Sequence, residues 1–236
     1  MFPLQDSVPN RVTPIATILL IAANVLVYAA TSRLPDPELA QVFDRLGVVP
    51  AHFAPDRVDA AALGTVFSGM FLHAGFLHLF ANMWTLWIFG PNVEERTGPI
   101  RFVLYYLVAG TISAAVHVST NGATTIPAIG ASGAISGVMG AYLVLYPTAR
   151  ILFVVPILFY PLFFDWPAAT YLLLWFALQV VSGGFSLVAG EQVGGVAWWA
   201  HVGGFVGGIL VLRPFLSPPR HWAPPPDYGA RHYRGH

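Results

Sequence analysis

The chain has 236 residues, of which 56% are hydrophobic and 9% charged, and its 11 basic and 11 acidic side chains balance at neutral pH. Soluble domains carry about 25% charged residues, so this chain has too few charges to cover its own surface, and a membrane protein is predicted. The sparse and balanced charge excludes nucleic acid as a main ligand. With no cysteine, disulfides, thiolate nucleophiles and cysteine-based metal sites are excluded as well.

Six apolar stretches resemble membrane spans, which need about 20 mostly apolar residues. They divide the chain into a cytoplasmic segment 1–12, a membrane domain 13–212 and a tail 213–236 that is rich in Pro, Arg and His and is predicted to be disordered. The fold class predicted is an all-α membrane protein. The predicted spans are Thr13–Ala30, Val66–Gly90, Ile100–Thr120, Ser132–Tyr146, Pro167–Ser182 and Val196–Leu212.

Two stretches leave an alternative open. Ile151–Trp166 is apolar but is interrupted by Pro156 and Pro161, which favours an interfacial or re-entrant connection over a seventh span. A seventh span would move the C-terminus to the opposite side of the membrane. The first span has a secretory signal as its alternative, with Val27–Ala30 as the cleavage site, although its removal would break the six-span arrangement.

The arginines predict the orientation, because cytoplasmic loops of membrane proteins carry an excess of basic residues. In the six-span layout, eight arginines lie on the side that carries both termini and three lie on the other side. Both termini are therefore predicted to be cytoplasmic, in a plasma or inner membrane. The richer side has Arg11, Arg96, Arg101, Arg150, Arg213, Arg220, Arg231 and Arg234, and the poorer side has Arg33, Arg45 and Arg57.

Few polar side chains fall inside the predicted spans, and such groups are costly there and mark function. No Asp, Glu or Lys lies well inside a span. A serine hydroxyl, imidazoles and an amide are the components of acyl-transfer chemistry, in which a base activates the hydroxyl and donors hold the oxyanion. The polar groups are His73, His78, His117, His201, Asn82, Ser132 and Ser136.

Helical spacing relates some of these groups to one another. His78 and Asn82 are four residues apart and share one helix face, whereas His73 precedes His78 by five residues, or about 140° on a continuous helix. No HExxH motif and no intramembrane carboxylate is present, so no metal ion or organic cofactor is predicted, and haem held between spans is the alternative.

The topology brings three spans to the outer face at their N-terminal ends. At 1.5 Å per residue, His78, Ser132 and His201 all fall in the outer half of the bilayer. The small-residue pairs Gly133/Gly137 and Gly204/Gly208 predict a close approach of the fourth and sixth spans. A serine on one helix needs such an approach to reach an imidazole on the other.

Three motifs in this order resemble the rhomboid family of intramembrane serine proteases. They are HxxxxHxxxN from His73 to Asn82, the GxSG sequence at 130–133, and AHxxGxxxG from Ala200. The resemblance covers Thr13–Leu212 and implies a six-transmembrane-helix bundle. It implies Ser132 as nucleophile, His201 as general base, and His78 and Asn82 as oxyanion donors, with five structural positions near the site: His73, Gly130, Gly133, Gly204 and Gly208.

The resemblance also implies the partners, which are the lipid bilayer and transmembrane proteins cut in or near their membrane segments, with no cofactor. It further implies that the ExRxG turn from Glu94 fixes the loop to span three. The glycine-rich loop Ser182–Gly195 would be a mobile cap over the site, with span five as a lateral gate.

The chain departs from the family pattern in two places. Leu63–Ser68 lacks the Trp-Arg pair that many members carry, and Ser136 stands where some members have a Tyr against the catalytic His. Trp198, Trp199 or packing alone is expected to replace that Tyr. The alternatives from other classes are a catalytically inactive rhomboid-like adaptor, which typically lacks the Ser or the His, and a transporter, which favours a midplane site.

Overall fold

The computed structural model describes residues 2–122, 124–157, 160–189 and 197–217, and most of these are helical. Three strands form a small antiparallel sheet in the order β1-β2-β3. The helices are α1 (Ile15–Thr31), α2 (Asp36–Leu46), α3 (Ala60–Ser68), α4 (Phe76–Thr97), α5 (Pro99–Thr120), α6 (Ser132–Leu145), α7 (Ala168–Ala189) and α8 (Trp198–Val211), and the strands are β1 (Phe2–Asp6), β2 (Arg150–Ile157) and β3 (Tyr160–Pro167).

The apolar helices confirm the predicted helical membrane fold. By length and composition, α5 and the Ala168–Leu187 part of α7 can each cross a membrane, and the pair Ala60–Phe71 and Phe76–Thr97 qualifies as one span bent by 82°. Helices α1, α6 and α8 are apolar and shorter. Each of these segments overlaps one predicted span.

The second predicted span is broken, which corrects its predicted start at Val66. The chain is extended at Leu72 and again at Gly75, and α4 begins only at Phe76. His73 therefore lies between two helices, and the angle of about 140° expected from a continuous helix does not apply. The rings of His73 and His78 are in fact neighbours, with centroids 5.0 Å apart.

The stretch between α6 and α7 is a β-hairpin, in which Arg150 pairs with Pro167 and Ile157 with Tyr160. The hairpin turns the chain back to where it started, so the alternative of a seventh span is wrong. Strand β1 adds to the free side of β2, with Phe2 opposite Val154. The N-terminal segment and this connection consequently lie at the same end of the bundle.

Asp6 fastens the sheet to the helices. Its Oδ2 atom accepts hydrogen bonds from Tyr142 Oη on α6, at 2.5 Å, and from Asn92 Nδ2 on α4, at 2.6 Å. Trp84 Nε1 donates to Pro3 O at 2.6 Å. Burial is the main cause that raises the pKa of Asp6 from 3.8 to about 7, against the opposing effect of the Tyr142 bond.

Glu94 holds the start of α1. Its carboxylate oxygens accept from the backbone N–H groups of Ala16 and Thr17 and from Thr17 Oγ1, each at 2.8 Å. These N–H groups have no acceptor within their own helix. The helix dipole also stabilises a negatively charged carboxylate at this end of the helix. The ExRxG sequence forms the turn into the third predicted span, as expected: Gly98, at φ 81°, makes the turn and its N–H donates to Glu94 O at 2.7 Å. The side chain of Glu94 has the additional role of capping α1.

Helices α6 and α8 touch through glycines, as the sequence predicted. A Cβ atom on Gly204 would lie 2.1 Å from Gly133 O, and one on Gly208 would lie 2.5 Å from Gly137 Cα. Both distances are too short for any side chain. Tyr105 on α5 closes the packing by donating to Gly137 O at 2.6 Å. The contact between the two helices is called the glycine seam below.

Two predictions concern the C-terminal third of the chain, namely a loop after the fifth span and a disordered tail after the sixth. Helix α7 continues to Ala189, so the first part of the predicted loop Ser182–Gly195 is helical, and residues 190–196 lie outside the described part. The predicted disordered tail starts with an ordered stretch, in which Ser217 N donates to Arg96 O at 2.8 Å. The rest of the tail, 218–236, lies outside the described residues.

Candidate active site

Ser132 and His201 meet where α6 and α8 begin. Ser132 is the first residue of α6 and His201 lies in the first turn of α8. Their side chains are in hydrogen-bond contact, with 2.8 Å between Ser132 Oγ and His201 Nε2. The glycine seam explains this contact, because backbones that touch at Gly133 and Gly204 leave only a short gap for the two side chains to span.

A cavity of about 860 Å³ opens in front of this pair. Its polar lining includes Ser132, His201, His78 and Asn82, and apolar side chains such as Met139 and Tyr171 form much of the remaining wall. Binding sites in proteins commonly have this size and this mixture of apolar walls with a few convergent polar groups. The structure thus brings four sequence-predicted site residues to one cavity.

His78 and Asn82 form the opposite wall from α4. Gly130, at φ 123°, packs directly on this wall, and a Cβ atom there would lie 2.8 Å from His78 Nε2. Only glycine combines that backbone conformation with that contact. Asn82 Nδ2 is buried and has no hydrogen-bond partner among the described residues. A buried amide donor without an acceptor is available to a ligand atom in the cavity.

The start of α6 adds a further electrostatic element. The N–H groups of the first helical turn lack acceptors within the helix, and the dipole places partial positive charge there. The first backbone hydrogen bond of α6 runs from Ile135 N to Ala131 O. The N–H of Ser132 therefore precedes the hydrogen-bonded part of the helix. Negative charge that develops beside Ser132 is therefore stabilised.

His73 and His117 are not among the residues that line the large cavity. His73 is buried, and neither of its ring nitrogens has a hydrogen-bond partner among the described residues. His117 is also buried, beside a cavity of about 50 Å³ that Ser113 and Ser132 help to line. The burial of His117 away from the large cavity favours a structural role for this residue.

The sequence interpretation missed two residues of α7. Trp175 lies against His201, with 6.0 Å between ring centroids, and Gln179 Oε1 is 2.8 Å from His201 Nδ1. Trp199, one of the aromatics expected to replace the family Tyr, donates its Nε1–H to Gly183 O at 3.1 Å. The missed signal was an amide in an apolar span, four residues after an aromatic and so on the same helix face.

Ser136 has a structural contact at the site, and the described residues offer no metal-binding cluster. Ser136 Oγ donates to Ser132 O at 2.6 Å, which is a bond within α6. Among the described residues, no group of three or more His, Asp or Glu side chains could hold a metal ion. The groups that remain for chemistry are a hydroxyl, an imidazole and neutral donors.

Residues 61–218 match the Rhomboid domain family, which covers more than half of the chain. The chain belongs to the rhomboid family. It is therefore an integral membrane protein of a family of intramembrane proteases, and the shared domain includes all the cavity-lining residues described above.

Individual relatives agree with this assignment. The chain is 31% identical over 146 residues to the human presenilin-associated rhomboid-like protein, mitochondrial, covering 61% of this chain and 35% of that protein. It is 30% identical over 149 residues to RHOMBOID-like protein 5 of Arabidopsis thaliana, covering 53% and 48%. Rhomboid protein 1, mitochondrial, of Saccharomyces cerevisiae is 29% identical over 151 residues, covering 62% and 40%. The matched stretch is less than half of each of these relatives.

Proposed function

We propose that this rhomboid is a serine endopeptidase that hydrolyses peptide bonds in or near the transmembrane segments of other membrane proteins. The observation that carries the proposal is the 2.8 Å contact between Ser132 Oγ and His201 Nε2 at the wall of a large cavity. A hydroxyl in contact with an imidazole is the arrangement that nucleophilic catalysis of acyl transfer requires.

The proposed reaction begins with proton transfer from Ser132 Oγ to His201 Nε2 as the oxygen attacks the peptide carbonyl carbon. The carbonyl oxygen becomes an oxyanion, which the N–H of Ser132 and the side chains of His78 and Asn82 hold. One such donor contributes about 10²- to 10³-fold in rate in other enzymes. His201 then gives its proton to the leaving amine, and an acyl ester on Ser132 remains.

Water completes the cycle. His201 takes a proton from a water molecule that attacks the ester, and returns it to Ser132 Oγ as the ester bond breaks. The cavity supplies room for the water beside the acyl group. The substrates we propose are single-span proteins with small residues near their outer membrane boundary, because a helix can unwind there into the extended form that the site needs.

The proposed orientation places the arginine-rich face in the cytoplasm or an equivalent compartment, and the cavity toward the opposite face. Pairing of β1 with β2 supports a common side for the N-terminal segment and the α6–α7 connection. Because the chain has no cysteine, single cysteines at Ser7 and Asp44 can be tested with an impermeant thiol reagent in intact vesicles. We expect the two positions to be labelled from opposite sides.

The catalytic proposal is tested by cleavage of a model transmembrane substrate in liposomes, with fluorophosphonate labelling of the same samples. We expect the wild type to cut and to be labelled, Ser132→Ala and His201→Ala to do neither, and Ser119→Ala on α5 to behave as wild type. Cleavage by Ser132→Ala at the wild-type rate would refute the proposal. A folded wild type that is neither labelled nor active would favour the inactive adaptor.

A further inference from the structure

Gln179 is a buried amide on a helix whose neighbouring side chains face outward. Its side chain is 6% exposed, whereas Leu178 beside it is 55% exposed. Burying an amide costs free energy unless it finds a hydrogen-bond partner, and in an apolar span this cost is high. The partner is the catalytic imidazole: Gln179 Oε1 is 2.8 Å from His201 Nδ1.

The contact between Gln179 Oε1 and His201 Nδ1 is compatible with one neutral tautomer of His201. A carbonyl oxygen can only accept, so Nδ1 must carry the hydrogen. A neutral imidazole has one N–H, which leaves Nε2 as a lone-pair acceptor. The acceptor nitrogen is the one that lies 2.8 Å from Ser132 Oγ. The bond from Gln179 thus selects the tautomer that can receive the proton of the nucleophile.

We propose that Gln179 is the positioning residue of this active site, which holds His201 in the Nδ1–H tautomer and orients its ring toward Ser132. The inference rests on the proposed protease function and extends the Ser-His pair to a Ser-His-Gln arrangement. An amide takes this position in cysteine proteases that use Cys, His and Asn. A neutral amide also avoids the cost of burying a carboxylate at this depth.

Trp175 supports the same role from the preceding turn of α7. Its ring lies beside that of His201, with centroids 6.0 Å apart and planes tilted by 35°, while Gln179 contacts Nδ1 of the imidazole. The titratable groups whose charges act on His201 are His78 on α4 and His117 on α5. Both are imidazoles, so when His201 becomes protonated during the reaction, the oxygen dipole of Gln179 favours its positive charge together with the oxyanion of the substrate.

Two substitutions separate the positioning role from a structural one. Gln179→Met keeps the length of the side chain and removes the acceptor, and we expect kcat to fall about 10- to 100-fold with KM changed less than about twofold. Gln179→Glu keeps the acceptor and adds a negative charge. It should retain most of kcat and move the acid limb of the kcat/KM–pH profile about one unit upward. Leu178→Met, on the exposed side of α7, is the matched control.

A tautomer measurement decides the inference without any turnover. In ¹⁵N-histidine-labelled protein above neutral pH, the His201 signals, assigned with His201→Ala, should show a protonated Nδ1 and a bare Nε2. In Gln179→Met both tautomers should appear. A wild type with the proton on Nε2, or a Gln179→Met variant with unchanged tautomer and kcat, would overturn the proposal. Absent cleavage by wild type would instead count against the protease function, and the spectra would still decide the role of Gln179.

Discussion

The glycine seam and α7 contribute to the same site in opposite ways. At the seam, the α6 and α8 backbones touch, α6 is almost wholly buried, and Ser132 and His201 are set by main-chain positions. Helix α7 exposes much of its apolar surface, including Leu173, Leu178 and Phe185, and reaches His201 only through the ends of two side chains. The positions of the reacting atoms are thus fixed by the core, whereas the protonation state of the base depends on a peripheral helix.

The largest effect should come from closing the space at the seam. Gly204→Ala places a Cβ atom 2.1 Å from Gly133 O, a backbone atom that cannot yield without separating α6 from α8. We expect loss of more than about 100-fold in cleavage and a clear fall in melting temperature, since overpacking a rigid core costs roughly 1–3 kcal/mol or more.

Gly184→Ala on α7 is the matched control for this variant. A Cβ atom at Gly184 meets nothing within 4 Å, so the substitution should be neutral or stabilise the helix by up to about 1 kcal/mol. Equal losses in the two variants would contradict the contrast between the seam and α7.

A second variant should weaken the fold and spare the chemistry. Glu94→Ala removes the acceptor of three hydrogen bonds at the start of α1, and we expect a loss of roughly 2–4 kcal/mol in stability with kcat of the folded fraction unchanged. Thermal melting in detergent and active-site titration measure the two quantities. Glu95→Ala, whose exposed carboxylate accepts one bond from Arg11 N, should have a much smaller effect.

A third variant, at Trp175 on α7, should lower the catalytic rate. Trp175→Ala removes the ring that lies beside His201, and we expect kcat of the folded fraction to fall about 10-fold, which corresponds to about 1.4 kcal/mol. Melting temperature should fall as well, because the same ring packs on Phe205. Trp175→Phe should recover most of the rate because it keeps an aromatic face. If Leu174→Ala, a half-exposed neighbour, lowered kcat equally, the loss would belong to α7 as a whole and not to the ring.

The smallest effect concerns pH and the sheet. Burial raises the pKa of Asp6 from 3.8 to about 7, so the folded state binds this proton more tightly than the unfolded state. This contribution to stability is complete below about pH 4 and is lost as the pH rises toward and through 7. Melting temperature should therefore fall over this range. Asp6→Asn, which mimics the protonated acid, should remove that dependence.

The sequence predicted the span positions and the Ser132–His201 contact well where local rules decide them. Pro99, Pro147 and the small residues Gly133 and Gly204 act through the nearest turn or the nearest helix, so α5, α6 and α8 lie within a few residues of their predicted limits. The close packing of α6 on α8 was predicted from their matching small-residue faces, which can be recognised in the sequence alone.

The rest depended on contacts between distant parts of the chain. Strand β1 is recognisable only when β2 is beside it, and Glu94 looks like part of a local turn until α1 is placed against it. Gln179 lies in an apolar span with no motif around it, so its bond to His201 required the position of α7. Helical geometry misplaced His73 because the helix was assumed to continue through Leu72–Gly75.

The pairing of β1 with β2 has a consequence for how the protein is made. β1 is synthesised before β2, which follows only after α1, the bent α3–α4 pair, α5 and α6. Until β2 is made the backbone groups of β1 have no sheet to join, although Asn92 and Tyr142, the partners of Asp6, are already present. Closure of this sheet thus comes late in biogenesis and fastens β1 only after most of the helices have been synthesised.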